Sequence, residues 1–185
     1  SDCDAAVFSG HKMGGPRGAA LLWMNPGLPW EPVMEGPQER RRRGGTEDVP
    51  AILGLAEAAA HLPERLKAHE ALTPLRDALE AEVLGWSSDF EVLGRVQPRL
   101  PNTSAFLLRG HNGEAVQMAL DLAGFAVSTG SACHSGSVKP SHAVMAMGYT
   151  ETEARSVVRV SMLPSATLEE VQALGAALKK VLKLA

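Results

Sequence analysis

The stretch Ser9-Gly10-His11-Lys12-Met13-Gly14-Gly15-Pro16-Arg17-Gly18 sets an amine directly after an apolar run, Ala5-Ala6-Val7-Phe8, and directly before a glycine-rich turn. A strand that stops this way presents one lysine at its end, among residues with little side-chain bulk. An amine held out of water loses its proton more readily, attacks a carbonyl carbon and forms a Schiff base. The pattern therefore predicts a buried, reactive Lys12. Read alone, Ser-Gly-His-Lys equally describes a plain surface turn.

A second stretch far downstream points the same way. Ser128-Thr129-Gly130-Ser131-Ala132-Cys133-His134-Ser135-Gly136-Ser137 holds one of two cysteines in the chain, and no large apolar side chain flanks it. Such a loop is solvated, and an accessible thiol suits a thiolate that has to reach a substrate. His134 adjoins it and can exchange a proton with it. An exposed cysteine without a role is the plainer alternative. A zinc site at Cys133 and His134 is disfavoured, because adjacent residues rarely supply two ligands and no further cluster is present.

Together the two stretches resemble the cysteine desulfurases, pyridoxal-phosphate enzymes of the fold-type I group, in the class with the longer cysteine loop that serves iron–sulfur cluster assembly. Four ordered blocks carry the resemblance. The first is Ser9-Gly10-His11-Lys12 with Gly15-Pro16-Arg17-Gly18. Gly36-Pro37-Gln38-Glu39-Arg40 follows, with Arg43-Gly44-Gly45-Thr46-Glu47-Asp48. Then come residues 128–133, continuing through Pro140-Ser141 to Met147-Gly148, and finally Val158-Arg159-Val160-Ser161.

The resemblance implies a role for each of these residues. Lys12 carries pyridoxal 5'-phosphate, and Ser9 and His11 touch its phosphate. Gly10 admits a close backbone approach. Thr46 reaches the phosphate held by the other subunit of a homodimer. Cys133 takes the sulfur of L-cysteine as a persulfide, leaving L-alanine, and hands it to a sulfur-accepting scaffold protein or, through that persulfide, to an iron–sulfur cluster. His134 departs from the family, where a small hydroxyl residue is common. The resemblance also implies that roughly half of such an enzyme precedes Ser1, so the chain is expected to be a C-terminal portion lacking several contacts to the cofactor ring and inactive alone. Selenocysteine lyase, another enzyme of the same fold, and a non-catalytic interaction module are the alternatives.

Arg159 lies in an apolar strand, where a charge needs a partner. A substrate α-carboxylate suits a guanidinium, which grips it through two parallel hydrogen bonds. A structural salt bridge is the other reading. Arg155, four residues earlier, reads as a surface residue.

The elements that have to position these groups follow from the apolar pattern. Strands are expected at 5–8, 19–24, 90–93, 104–108, 125–127 and 157–162. Pro50 opens a helix over 51–61 with Ile52, Leu55, Ala56 and Ala59 on one face, and the chain breaks near Pro63 and resumes through Leu66. Thr73-Pro74 reads as N-cap and first helical position. Asn112 caps a helix that Gly124 stops, and Pro140-Ser141 starts one running through Met147. Thr150 with Glu153, and Thr167 with Glu170, form capping boxes. The order predicts an α/β and α+β chain, the C-terminal part of a fold-type I transferase. Residues 1–66 are the tail of a large α/β domain, and 67–185 are a small α+β domain with helices on one face of a sheet. Strands missing from the large domain would leave apolar surface and a sheet edge bare.

Composition fits a globular chain of 185 residues, 45% hydrophobic and 21% charged. The net charge of −3 argues against nucleic acid despite the four arginines at 40–43. No apolar run is long enough to cross a bilayer, and two distant cysteines make no disulfide framework. A working thiol suits the reducing cytoplasm.

Overall fold

The structure is a computed structural model that describes residues 3–130 and 140–184. The chain divides into two compact units, Ser1–Leu66 and Lys67–Ala185.

In the first unit, β1 (Ala5–Ser9) and β2 (Ala20–Met24) form an antiparallel ribbon with Ala5 opposite Met24 and Ser9 opposite Ala20. A 3-10 turn, Gly10–Met13, follows β1. After a long loop with a turn at α1 (Gln38–Arg41) comes α2 (Val49–Ala60), and α3 (Leu62–Glu70) follows. Asp48 caps α2 by accepting from the Ala51 N–H at 3.1 Å. The break between α2 and α3 falls at His61 rather than at Pro63. The buried face of α2 also differs from the expected one. It carries Ala51 and Ala58, while Ile52 and Leu53 face out. Small side chains decide this, since Gly54 lies so close to Pro16 that a Cβ would meet the ring at 2.6 Å.

The ribbon is bare. Val7 is 73% exposed, and Phe8, Leu21, Leu22 and Trp23 are also exposed. Two strands bury little by themselves.

The second unit is an antiparallel sheet in the order β3-β4-β6-β5. Its strands are β3 (Phe90–Val92), β4 (Thr103–Leu108), β5 (Ser128–Thr129) and β6 (Val157–Ser161). On one face lie α4 (Thr73–Trp86), α5 (Gly113–Leu122) and α8 (Leu168–Val181). Phe106, Leu108, Val158 and Val160 pack there against Leu79, Val83, Leu120 and Leu178. Residues of opposite parity face the other way. Leu107 and Val157 meet Val144 of α6 (His142–Ala146) and Ala154 of α7 (Glu151–Arg155) in a second cluster. Helices therefore cover part of both faces, not one, because the outward-alternating Leu107 and Val157 also have to be buried.

Asn112 caps α5, and both capping boxes are present. Thr73 is the first residue of α4 rather than its cap, so Pro74 sits one position deeper than expected. The short strand before the cysteine loop pairs at Ser128 and Thr129, not at 125–127. Phe125 and Val127 pack on the first core without joining the ladder.

One carboxylate is buried with its partners. Glu80 of α4 receives both Nη groups of Arg99, at 2.8 and 3.0 Å, and the hydroxyl of Ser104. Burial pushes the Glu80 carboxyl up. The bonds from Arg99 and Ser104 and the charges of Arg99 and Arg76 outweigh it, leaving the group below its usual range.

Candidate active site

The Lys12 turn is built from backbone. Gly10 donates to the Ala19 carbonyl at 3.0 Å and accepts from the Gly15 N–H at 2.9 Å, closing the loop between the strands. Gly10 is buried, and a Cβ there would meet the Ala19 carbonyl at 2.8 Å and Leu55 of α2 at 3.3 Å. The expected close approach at this glycine is thus real, and Ala would have to displace backbone. From α3, the Arg65 guanidinium donates to the Met13 carbonyl. Ser9, Gly10, His11 and Lys12 are consequently brought together on one turn held by two helices, and Arg65 is an anchor that sequence reasoning passes over.

Lys12 is exposed, as is His11, while Ser9 is half-buried. The expectation of a buried lysine is corrected here. The ribbon pairs with no third strand among the described residues, and α2 approaches the turn from the Gly10 side, so nothing covers the amine. Thr46 is exposed in the loop that enters α2. That helix starts against the far end of the turn, where a Cβ on Gly18 would lie 3.5 Å from the Asp48 carboxylate.

Arg159 belongs to the second unit. It sits on β6 opposite Ala105 of β4 and Ser128 of β5, on the same sheet face as Val157. Its guanidinium is half-buried, and its Nη1 donates to the Gly130 carbonyl at 3.4 Å. Among the described residues no carboxylate forms an ion pair with it. Arg155 by contrast pairs on the surface with Glu151 at 2.8 Å.

Nearby, Arg109 donates to Glu153 at 2.9 Å and to Glu91 at 3.0 Å, and Tyr149 donates to Glu91. The Glu91 bond raises the Tyr149 hydroxyl above its ordinary range, and bonds from Thr150 and Arg109 hold Glu153 below its own. This network fastens α7 and the segment after α6 to β3 and β4.

Cys133 and His134 lie outside the described residues. No group of three or more His, Cys, Asp or Glu that could hold a metal occurs among the described residues, and no helix there is long and apolar enough to cross a membrane.

The family model of the class-V aminotransferases matches residues 1–174. The chain belongs to that family. It is 39% identical to a cysteine desulfurase of Cereibacter sphaeroides, over 94% of this chain and 45% of that protein. With the cysteine desulfurase NifS of Azotobacter vinelandii it shares 39% identity, over 88% of this chain and 41% of that one. A solved NifS-like protein from Rickettsia africae superposes with a TM-score of 0.82 at 28% identity, covering 98% of this chain and 48% of the other. Another NifS-like structure gives 0.79 at 29% identity, with 98% and 47% covered. The chain thus spans somewhat under half the length of these relatives, and its mixed α/β fold matches that much of a fold-type I enzyme.

Class-V members carry pyridoxal phosphate, and the residues of the Lys12 turn suit it chemically. An amine, a hydroxyl and an imidazole on adjacent residues give one group to hold a carbonyl and two to donate to a phosphate.

Proposed function

We propose that the chain provides the lysine turn, the carboxylate-binding arginine and the sulfur nucleophile of a cysteine desulfurase. The observation that carries the reading is Arg159, a half-buried guanidinium with no carboxylate partner among the described residues. A cation held so is matched by an anion from outside. The likeness to proteins named cysteine desulfurase supports L-cysteine as that anion.

When bound, pyridoxal 5'-phosphate supplies an electron sink at the substrate α-carbon. Lys12 holds the cofactor carbonyl through Nζ and, once free, moves protons at that carbon. Ser9 and His11 donate to the phosphate, Gly10 keeps the turn close-packed, and Thr46 serves the phosphate of a second copy in a homodimer. Arg159 fixes the α-carboxylate. The Cys133 thiolate forms an S–S bond to the substrate sulfur as the substrate's Cβ–S bond breaks, and the electron pair left on carbon takes a proton. A thiol and cysteine thereby become a persulfide and alanine, with no outside oxidant or reductant. The persulfide then passes to a sulfur-accepting scaffold for iron–sulfur assembly, in the reducing cytoplasm. The remaining length of the relatives is expected to complete the site.

The test is to supply L-cysteine and pyridoxal phosphate to the chain joined to the remaining length of its relatives and measure alanine and persulfide in equal amounts. Lys12→Ala should abolish the visible absorbance of the bound cofactor and all turnover. Cys133→Ser should keep the absorbance and lose the persulfide. Normal sulfur transfer by Cys133→Ser overturns the reading, and a preference for selenocysteine redirects it to a lyase.

A further inference from the structure

Arg159 has short neighbours. Ala105 and Ser128 flank it across the sheet. What holds it is the backbone carbonyl of Gly130, on Nη1. That carbonyl is itself fixed. Gly130 has φ +58°, a left-handed conformation that side-chain-bearing residues adopt at a cost. A Cβ there would lie 3.2 Å from the Ser141 Cβ. Ser141 is 8% exposed and is the N-cap of α6, its Oγ accepting from the Val144 N–H. Val144 in turn is buried in the second cluster. Ser141, at the start of the packed α6, thus limits the space beside Gly130, whose carbonyl reaches the guanidinium.

Which nitrogen is used matters. A guanidinium offers a planar fork of five N–H groups, and a carboxylate takes two parallel ones. One of the two Nη1 hydrogens goes to Gly130. The Nε and Nη2 edge remains, and among the described residues nothing occupies it. We infer that Gly130 and Ser141 are positioning residues for Arg159, turning its Nε–Nη2 edge to receive the carboxylate of the substrate. This rests on the desulfurase reading for the identity of that substrate, but the carboxylate-binding edge can be tested without turnover.

The probes are two cysteine fragments with the cofactor-loaded protein. 3-Mercaptopropionate keeps the carboxylate and thiol, and cysteamine keeps the amine and thiol. Gly130→Ala twists the carbonyl away and crowds Ser141. It should weaken 3-mercaptopropionate about tenfold, in line with loss of one well-oriented charged hydrogen bond, and leave cysteamine within about twofold. With L-cysteine, KM should rise by about the same factor while kcat changes little, because the loss is in binding common to ground and transition states. The double variant Gly130→Ala with Ser141→Gly removes the crowding, and glycine keeps most of the value of a serine cap. It should regain only part of the lost 3-mercaptopropionate affinity, because Ala at φ +58° stays strained whatever the space beside it. Equal weakening of both fragments, no weakening of either, or failure of Ser141→Gly to restore binding each overturns the inference. A complete form, joined to the remaining length of the relatives, that binds 3-mercaptopropionate yet yields no alanine from cysteine defeats the desulfurase reading and leaves this one standing.

Discussion

The two units of this chain are made of similar residues and end in different states. In Lys67–Ala185, Phe106, Leu107, Leu108, Leu120, Val158 and Leu178 are completely buried between a sheet and its helices. In Ser1–Leu66 the buried apolar residues are only Ala51 and Ala58, while Val7, Phe8, Leu21, Trp23 and Met34 face outward. Apolar sequence does not make a core by itself. Burial needs a second layer to pack against, and a two-stranded ribbon with one helix of small residues offers too little. Each unit holds a different part of the proposed chemistry. The amine lies on the poorly buried one and the carboxylate-binding arginine on the well-packed one.

The largest expected contrast comes from trimming one side chain in each. Phe106→Ala should lower the denaturant stability of the second unit by about 3–5 kcal/mol, the range for an aromatic deleted from a closed core. Leu22→Ala on the ribbon should change the chain's unfolding by less than about 0.5 kcal/mol, as an exposed substitution does. Comparable losses would mean that the ribbon is covered in solution by a layer equivalent to the sheet's helices.

A second contrast is electrostatic. Glu80→Gln removes the charge from a buried group that still faces Arg99 and Arg76, and should cost about 3 kcal/mol, as broken buried pairs do. The pH dependence follows from the direction of the shift. The folded carboxyl is held below its ordinary value. Its contribution is therefore full above the pKa of the unfolded chain and disappears as pH falls through the lower folded value. Wild type and Glu80→Gln should differ most near neutrality and converge in acid, measured as unfolding midpoints against pH. A difference that persists unchanged in acid would assign the loss to shape rather than charge.

Much of this was legible in the sequence where local rules govern. The two capping boxes, the Asn112 cap and the strands β3, β4 and β6 follow from side-chain oxygens and alternation, which act over a few residues. The place of Arg159 on strand β6 was legible too. The exposure of Lys12 was not, because burial depends on what lies above a turn and no short motif encodes that. The true face of α2 was also hidden. Periodicity favours Ile52, Ala56 and Ala59 beside Leu55, but of these only Leu55 is half-buried, and the close approach of Pro16 to Gly54 favours small side chains. Arg65, Gly130 and Ser141 act through backbone carbonyls and contacts between distant segments. For Gly130 the available signal was a glycine directly after a strand.

The smallest effects sharpen the same contrast through helix caps. Asp48 caps α2 and Thr167 caps α8, each through one side-chain oxygen on a backbone N–H. Replacing either by Ala should cost its helix about 1 kcal/mol. The loss should be felt differently. Val171, Leu174 and Leu178 tie α8 into the core, so fraying it loosens the whole second unit and Thr167→Ala should shift the global midpoint by that amount. α2 buries only Ala51 and Ala58. Asp48→Ala should instead open the first turn locally, with faster hydrogen exchange at the Ala51 amide and no movement of the second unit's midpoint. Because that turn abuts Gly18 at the end of the lysine loop, the amides of Gly10 and Gly15 should also exchange faster. An Asp48→Ala midpoint that moves as far as that of Thr167→Ala would show that the two units unfold together, and the difference in their burial would then have no thermodynamic consequence.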